Sequence, residues 1–253
     1  GKWSLNSIKN QLYFGFPLIF SIWSWEILNI SDRYILEKIT DLSTVGIYTI
    51  AYQIAQIPLF FILGIRRIWK PIFYENMNNR KFHILSKLIG IYIFVTSLVC
   101  ISIILFSKEI FVLFINEKFY NAIDVVALIV IGVFFNSLLT LSNSILVYDK
   151  NFWKNSKISL IAASINIVLN ILLIPNYGIH GAAIATIVSY FSYLCISLLN
   201  VYETAKNINI YYPLIISLIT IILSVVATFK INNFSNPFYN FSAKFGIVFL
   251  YLI

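Results

Sequence analysis

The chain has 253 residues, of which 60% are hydrophobic and only 11% charged, and its mean hydropathy is +0.86. Soluble domains carry about 25% charged residues, so the composition excludes a water-soluble globule and points to an all-α, polytopic membrane protein. The net charge of +8 sits in short loops, with no compact basic domain to hold a nucleic acid, and reads as membrane topology.

Lys2 to Asn10 is a short amphipathic lead-in, and Gln11 to Leu36 is the first expected span. Phe14 to Ile30 is nearly all apolar or aromatic, yet Glu26 lies inside it and Asp32 and Arg33 close it. At about 100° per residue, Glu26, Asn29, Arg33 and Glu37 share a helix face. An ionised side chain at the bilayer centre costs about 2.5 to 3.5 kcal/mol, so this face is expected to look at other helices or a wet cavity. Glu26 and Arg33 stand about 10 Å apart along the axis, too far for a direct ion pair.

A loop at Asp41 leads to a second span, Val45 to Ile65, which ends on Arg66, Arg67 and Lys70. Leu88 to Phe106 and Ala122 to Tyr148 are the third and fourth. Ile158 to Ile174 and Ile179 to Tyr202 are separated only by Pro175-Asn176-Tyr177-Gly178, which predicts a tight hairpin. Tyr212 to Phe229 is the seventh span, and Phe241 starts an eighth. Because the chain opens on Gly1 rather than Met and stops at Ile253 inside an apolar run, it is expected to be a piece of a longer protein.

Twelve of the 18 Lys and Arg residues fall on one side of this topology, including Lys2, Lys9, Arg66, Arg67, Lys70 and the loop through Lys87. The positive-inside rule makes that side, and the Gly1 end, cytoplasmic.

Polar residues recur at helical spacing: Thr49, Gln53, Gln56 and Arg67 on the second span, Asn136, Thr140 and Asn143 on the fourth, and Ser159, Asn166 and Asn170 on the fifth. Taken singly, each stripe reads as interhelical hydrogen bonding. Together with Glu26 and Arg33 they are expected to line one polar cavity. Arg66, Arg67 and Lys70 read either as headgroup anchors or as a cationic mouth for a phosphate-bearing headgroup, since Arg presents a planar fork suited to phosphate oxygens.

Nothing in the chain reads as chemistry. Cys100 and Cys195 sit in apolar runs without metal-ligand spacing, and His83 and His180 have no second candidate ligand or nucleophile nearby. A Gly-rich phosphate loop, His-Glu-x-x-His and a nucleophile elbow are all missing. No catalytic residue, metal or cofactor is expected.

Two blocks of residues carry a family resemblance. The first runs Phe16-Pro17-Leu18, Ser31-Asp32-Arg33-Tyr34-Ile35-Leu36, Val45-Gly46-Ile47-Tyr48 with Ala51-Tyr52, then Trp69-Lys70-Pro71. The second runs from Asn166 and Asn170 through Leu173-Ile174-Pro175-Asn176-Tyr177-Gly178-Ile179 to Gly181-Ala182-Ala183-Ile184-Ala185-Thr186. In this order they resemble the second half of the O-antigen and capsule repeat-unit flippases, members of the multidrug, oligosaccharidyl-lipid and polysaccharide exporter superfamily. The likeness covers about Ile8 to Tyr202.

The resemblance implies one lobe of a two-lobe exporter, with residues 1–205 as the carboxy-terminal lobe and 206–253 as an added helix pair. It implies a bacterial plasma-membrane protein whose cargo is a polyprenyl-pyrophosphate oligosaccharide. Its partners would be membrane lipids, the missing amino-terminal lobe and other polysaccharide assembly proteins. Arg33 is the motif position expected to meet the pyrophosphate, with Asp32, Glu26, Gln53, Gln56, Arg66, Arg67, Lys70, Asn166 and Asn170 as further substrate-binding candidates. Three alternatives stand beside this reading. A cation-coupled drug exporter would use Glu26 as the ion carrier, a membrane glycosyltransferase, ligase or polymerase would want a larger outer loop than those near Asp41, Glu117 and Asn236, and a scaffold would need no cavity.

Overall fold

The computed structural model describes residues 5–231 and 237–252, and the described residues are almost entirely helical. Lys2 and the loop position Asn236 lie outside them. Helix α1 spans Leu5–Ile39, α2 Leu42–Ala55, α3 Ile57–Asn78 and α4 Phe82–Phe114. A 3-10 turn, Glu117–Ala122, leads into α5 (Ile123–Tyr148); α6 (Phe152–Ala205), α7 (Tyr211–Ile231) and α8 (Pro237–Leu252) follow. The expected lead-in is continuous with α1 from Leu5 onward, and α1, the expected first span, falls outside the set of helices long and apolar enough to cross a membrane.

Four of these helices are long and apolar enough to cross a membrane, or five if the bent pair α2–α3 is one span. That pair corrects the single straight second span: it bends by 40° at Gln56. Pro58 lies in the first turn of α3, where it supplies no N–H to continue the α2 ladder and its ring crowds the preceding turn. Asp41 caps the start of α2 by accepting from the Thr44 N–H at 2.7 Å, a bond that also holds its carboxyl below the usual range.

The 54-residue α6 is two arms folded at Gly178, whose φ of 52° and ψ of −129° are costly for any residue with a Cβ. The arms meet so closely at Gly181 that an added Cβ would stand 2.5 Å from the Leu173 carbonyl oxygen. This is the hairpin predicted from the Pro175–Gly178 stretch.

Helix α5 is the central post, buried without interruption from Gly132 to Ser142. Both α4 and α6 pack against it, and α6 also packs along α1. Trp69 Nε1 of α3 donates to Ser144 Oγ at 3.0 Å, and Tyr92 OH of α4 donates to the Ser137 carbonyl at 2.8 Å. Ser156 Oγ donates to the Pro17 carbonyl, which joins α6 to α1. Helices α7 and α8 rest on α4 and on each other. Lys244 of α8, with a fully buried side chain, donates to both Glu109 carboxylate oxygens at 2.7 and 3.0 Å, pairing a charge that lipid would not accept alone.

Candidate functional site, a polar cavity between α1, α3, α5 and α6

Four helices enclose a cavity of about 430 Å³. Helix α1 contributes Leu18, Ser21, Ile22 and Trp25, and α3 contributes Arg66, Lys70 and Tyr74. One face of α5 supplies Asn136, Thr140, Asn143 and Ser144, while the two arms of α6 bring Asn155 and Ser159 opposite Tyr190 and Tyr193. Tyr74 and Val147 lie within a turn of the ends of α3 and α5. The cavity therefore sits toward the end of the bundle that carries the turns at 79–81 and 149–151, where Arg80, Lys81 and Lys150 cluster.

Its walls hold polar atoms that the protein itself does not satisfy. Arg66 Nε, Thr140 Oγ1, Asn143 Oδ1 and the Tyr190 hydroxyl are all buried and make no hydrogen bond of good geometry among the described residues. An unpartnered buried polar group costs about 1 to 3 kcal/mol, a cost that a water or a ligand group reaching it would relieve. Among the described lining residues the charges are Arg66 and Lys70, and none is acidic. This combination of cations and neutral hydrogen-bonding groups suits an anion that also carries hydroxyls.

The remaining polar residues of α1 are placed elsewhere. Asp32 is completely buried, its carboxylate accepting from Tyr48 OH at 2.7 Å and from the Arg33 N–H at 2.8 Å. Tyr52 OH donates to Asn29 Oδ1 at 3.0 Å, and the Arg33 guanidinium lies 4.3 Å from the centre of the Tyr52 ring. Ser31 Oγ donates to Asn166 Oδ1 at 2.7 Å, and Asn170 Nδ2 donates to the same oxygen at 3.0 Å. Three atoms of this second cluster keep no partner: Arg33 Nε, Asn166 Nδ2 and Asn170 Oδ1.

The expectation of one common cavity is thus corrected. Of the sequence candidates, the structure brings Arg66 and Lys70 to the hollow, together with the α5 stripe and Ser159. Asp32, Arg33, Asn166 and Asn170 do not line it, because Tyr48 and Tyr52 of α2 fill the space beside Asn29 and Asp32. Glu26, Gln53 and Arg67 are exposed on the outside of the bundle, and Gln56 is half-buried at the junction of α2 and α3. Trp25 reaches the cavity, Trp23 is exposed, and Tyr52 is committed to Asn29. Sequence reasoning missed Ser21, Tyr74, Ser144, Asn155, Tyr190 and Tyr193. Asn155 lies four residues before Ser159 and Tyr193 three after Tyr190, helical spacings that extend the polar faces already noted.

Comparison with solved structures finds the same arrangement of packed helices. The MATE transporter VcmN of Vibrio cholerae, in its bent form, superposes with a TM-score of 0.62 over 89% of this chain and 55% of its own, at 18% identity. A MOP superfamily transporter from Pyrococcus furiosus aligns over 86% of this chain and 52% of its own at 20% identity, but its TM-score of 0.49 adds nothing to the fold assignment. In sequence, residues 2–77 match the family described as polysaccharide biosynthesis protein. The membrane protein MJ1068 of Methanocaldococcus jannaschii is 26% identical over 189 residues, which cover 73% of this chain and 37% of that protein. The family match thus covers under a third of the chain, and the structural likeness gives its fold. It spans about 37% of the length of the curated relative it matches and about 55% of the transporter.

Proposed function

We propose that the full protein carries a lipid-linked oligosaccharide, with a polyprenyl-pyrophosphate anchor, across the plasma membrane for surface polysaccharide assembly. The observation that supports this most directly is the cavity: Arg66 and Lys70 beside Thr140, Asn143 and Tyr190, with no carboxylate among the described lining residues. A pyrophosphate would take the cations, and sugar hydroxyls would take the Thr140, Asn143 and Tyr190 groups. The absence of a lining carboxylate disfavours a cationic drug as cargo, and Glu26, the ion carrier of that alternative, lies outside the hollow. The work is that of a carrier: a polar path shields the head of the cargo while its prenyl tail stays in lipid.

The test uses the full-length protein in proteoliposomes carrying a fluorescent polyprenyl-pyrophosphate oligosaccharide, with translocation read by loss of quenching. Arg66→Gln combined with Lys70→Gln should stop translocation while insertion and melting temperature stay close to wild type. Normal translocation by that double variant removes the cavity from the transport path.

A further inference from the structure

A second set of hollows lies along α4, lined by helices that take no part in the cavity. Nearest the basic end, His83, Ser86, Lys87, Asn207 and Asn209 border about 610 Å³. Next to it, Phe94, Ile216 and Ser217 border about 390 Å³, and beyond that Ile101, Leu223, Ala227 and Ile247 border about 280 Å³. The three are continuous: the first two share Gly90, Tyr212 and Pro213, and the last two share Thr220 and Tyr251. The result is one groove between α4, α7 and α8.

The lining changes along the groove as a bilayer leaflet does. Lys87 and His83, with the Asn207 and Asn209 amides, stand at one end, and none of the described residues lining that opening is acidic. Lys87 forms no salt bridge among the described residues. Deeper in, the walls are aliphatic and aromatic, and the outer face of α7 exposes Ile215, Ile219 and Ile222 beside them. From Lys87 to Ile101 the groove follows about 21 Å of helix, against about 15 Å of hydrocarbon in one leaflet, so a whole acyl chain fits along it.

We infer that this groove holds a bilayer phospholipid with an anionic headgroup, its phosphate on Lys87 and one acyl chain along the α4–α7 seam. Charge complementarity selects the headgroup, because Lys87, the one Lys or Arg among the described lining residues of the groove, attracts anionic lipid at the interface. The groove goes beyond the transport reading: it shares no lining residue with the cavity, so its occupant is a resident lipid rather than the tail of the cargo.

Native mass spectrometry of the full-length protein, titrated with phosphatidylglycerol or phosphatidylcholine of matched chains, tests this. Wild type should bind phosphatidylglycerol about fivefold more tightly, and Lys87→Gln should abolish that preference while still binding both lipids. Gly90→Leu places its side chain in the groove, since a Cβ there meets nothing within 4 Å, and should weaken both lipids at least about fivefold. No preference in wild type, a preference that survives Lys87→Gln, or unchanged binding by Gly90→Leu overturns the inference. So does displacement of the phosphatidylglycerol by polyprenyl phosphate, which would assign the groove to the cargo tail. The wild-type preference is read independently of how either variant folds.

Discussion

Two polar regions lie within about two turns of each other on α1, and they are built in opposite ways. Around Asn29 and Asp32, tyrosines from α2 close in, and most polar groups bond to one another. Around Ser21 and Trp25 the helices stand apart, and Arg66, Thr140, Asn143 and Tyr190 line the hollow while a buried polar atom of each stays unpaired. A polar residue in a membrane helix therefore has two uses. It braces the bundle where a partner reaches it, and it offers itself to a ligand where none does.

The comparison can be broken at several points. The largest effect is expected at the scaffold both regions share. Gly181→Val would drive a side chain into the Leu173 carbonyl, where even a Cβ stands 2.5 Å away. The α6 hairpin should then open at a cost above about 3 kcal/mol. Loss of the folded, monodisperse protein on size-exclusion chromatography would show it, and a normally melting variant would contradict the close approach.

Next comes the cavity itself. Each hydrogen bond to a charged group is worth about 1.5 to 3 kcal/mol, so losing both the Arg66 and Lys70 charges should slow translocation about a hundredfold or more. Melting should hardly move, because neither side chain makes a salt bridge among the described residues. The Asp32 cluster should give the reverse pattern. Tyr48→Phe removes the 2.7 Å bond to a fully buried carboxylate and should cost about 1 to 3 kcal/mol of stability, read as a lowered melting temperature. Translocation at permissive temperature should remain; its selective loss, without destabilisation, would move Asp32 from brace to binding site. Least of all, Glu26→Gln on the exposed face of α1 should change stability by under about 0.5 kcal/mol, and a large shift would mean that Glu26 has a partner in the bundle.

Much of the fold was legible in the chain. Long apolar runs must become helices in lipid because every backbone N–H and C=O has to be satisfied internally. Pro175 to Gly178 must turn because proline interrupts the helix and glycine alone accepts the reversed backbone. The break at Gln56 was harder to see: Pro58 sits inside an apolar run that reads as one span, and only the packing of α2 and α3 shows where the ladder is cut. In the site, Arg66 and Lys70 were found by their positive charge, and Asn136, Thr140, Asn143 and Ser159 by helical spacing. Tyr190 and Tyr193 were not, since a tyrosine in a membrane helix is ordinarily read as packing.

The chain by itself determined that this is a bundle of membrane helices with polar stripes that lipid cannot be left to solvate, because hydropathy and the 100° helical step are local properties. Tertiary structure alone decided which stripe meets a void and which meets a tyrosine. Those outcomes depend on how far neighbouring helices stand apart, and residues more than a hundred positions away set that distance. Asp32 and Arg33 look like the functional charges along the sequence, but Tyr48 and Tyr52 occupy the room a ligand would need, and the open space falls beside Arg66 and Lys70 instead.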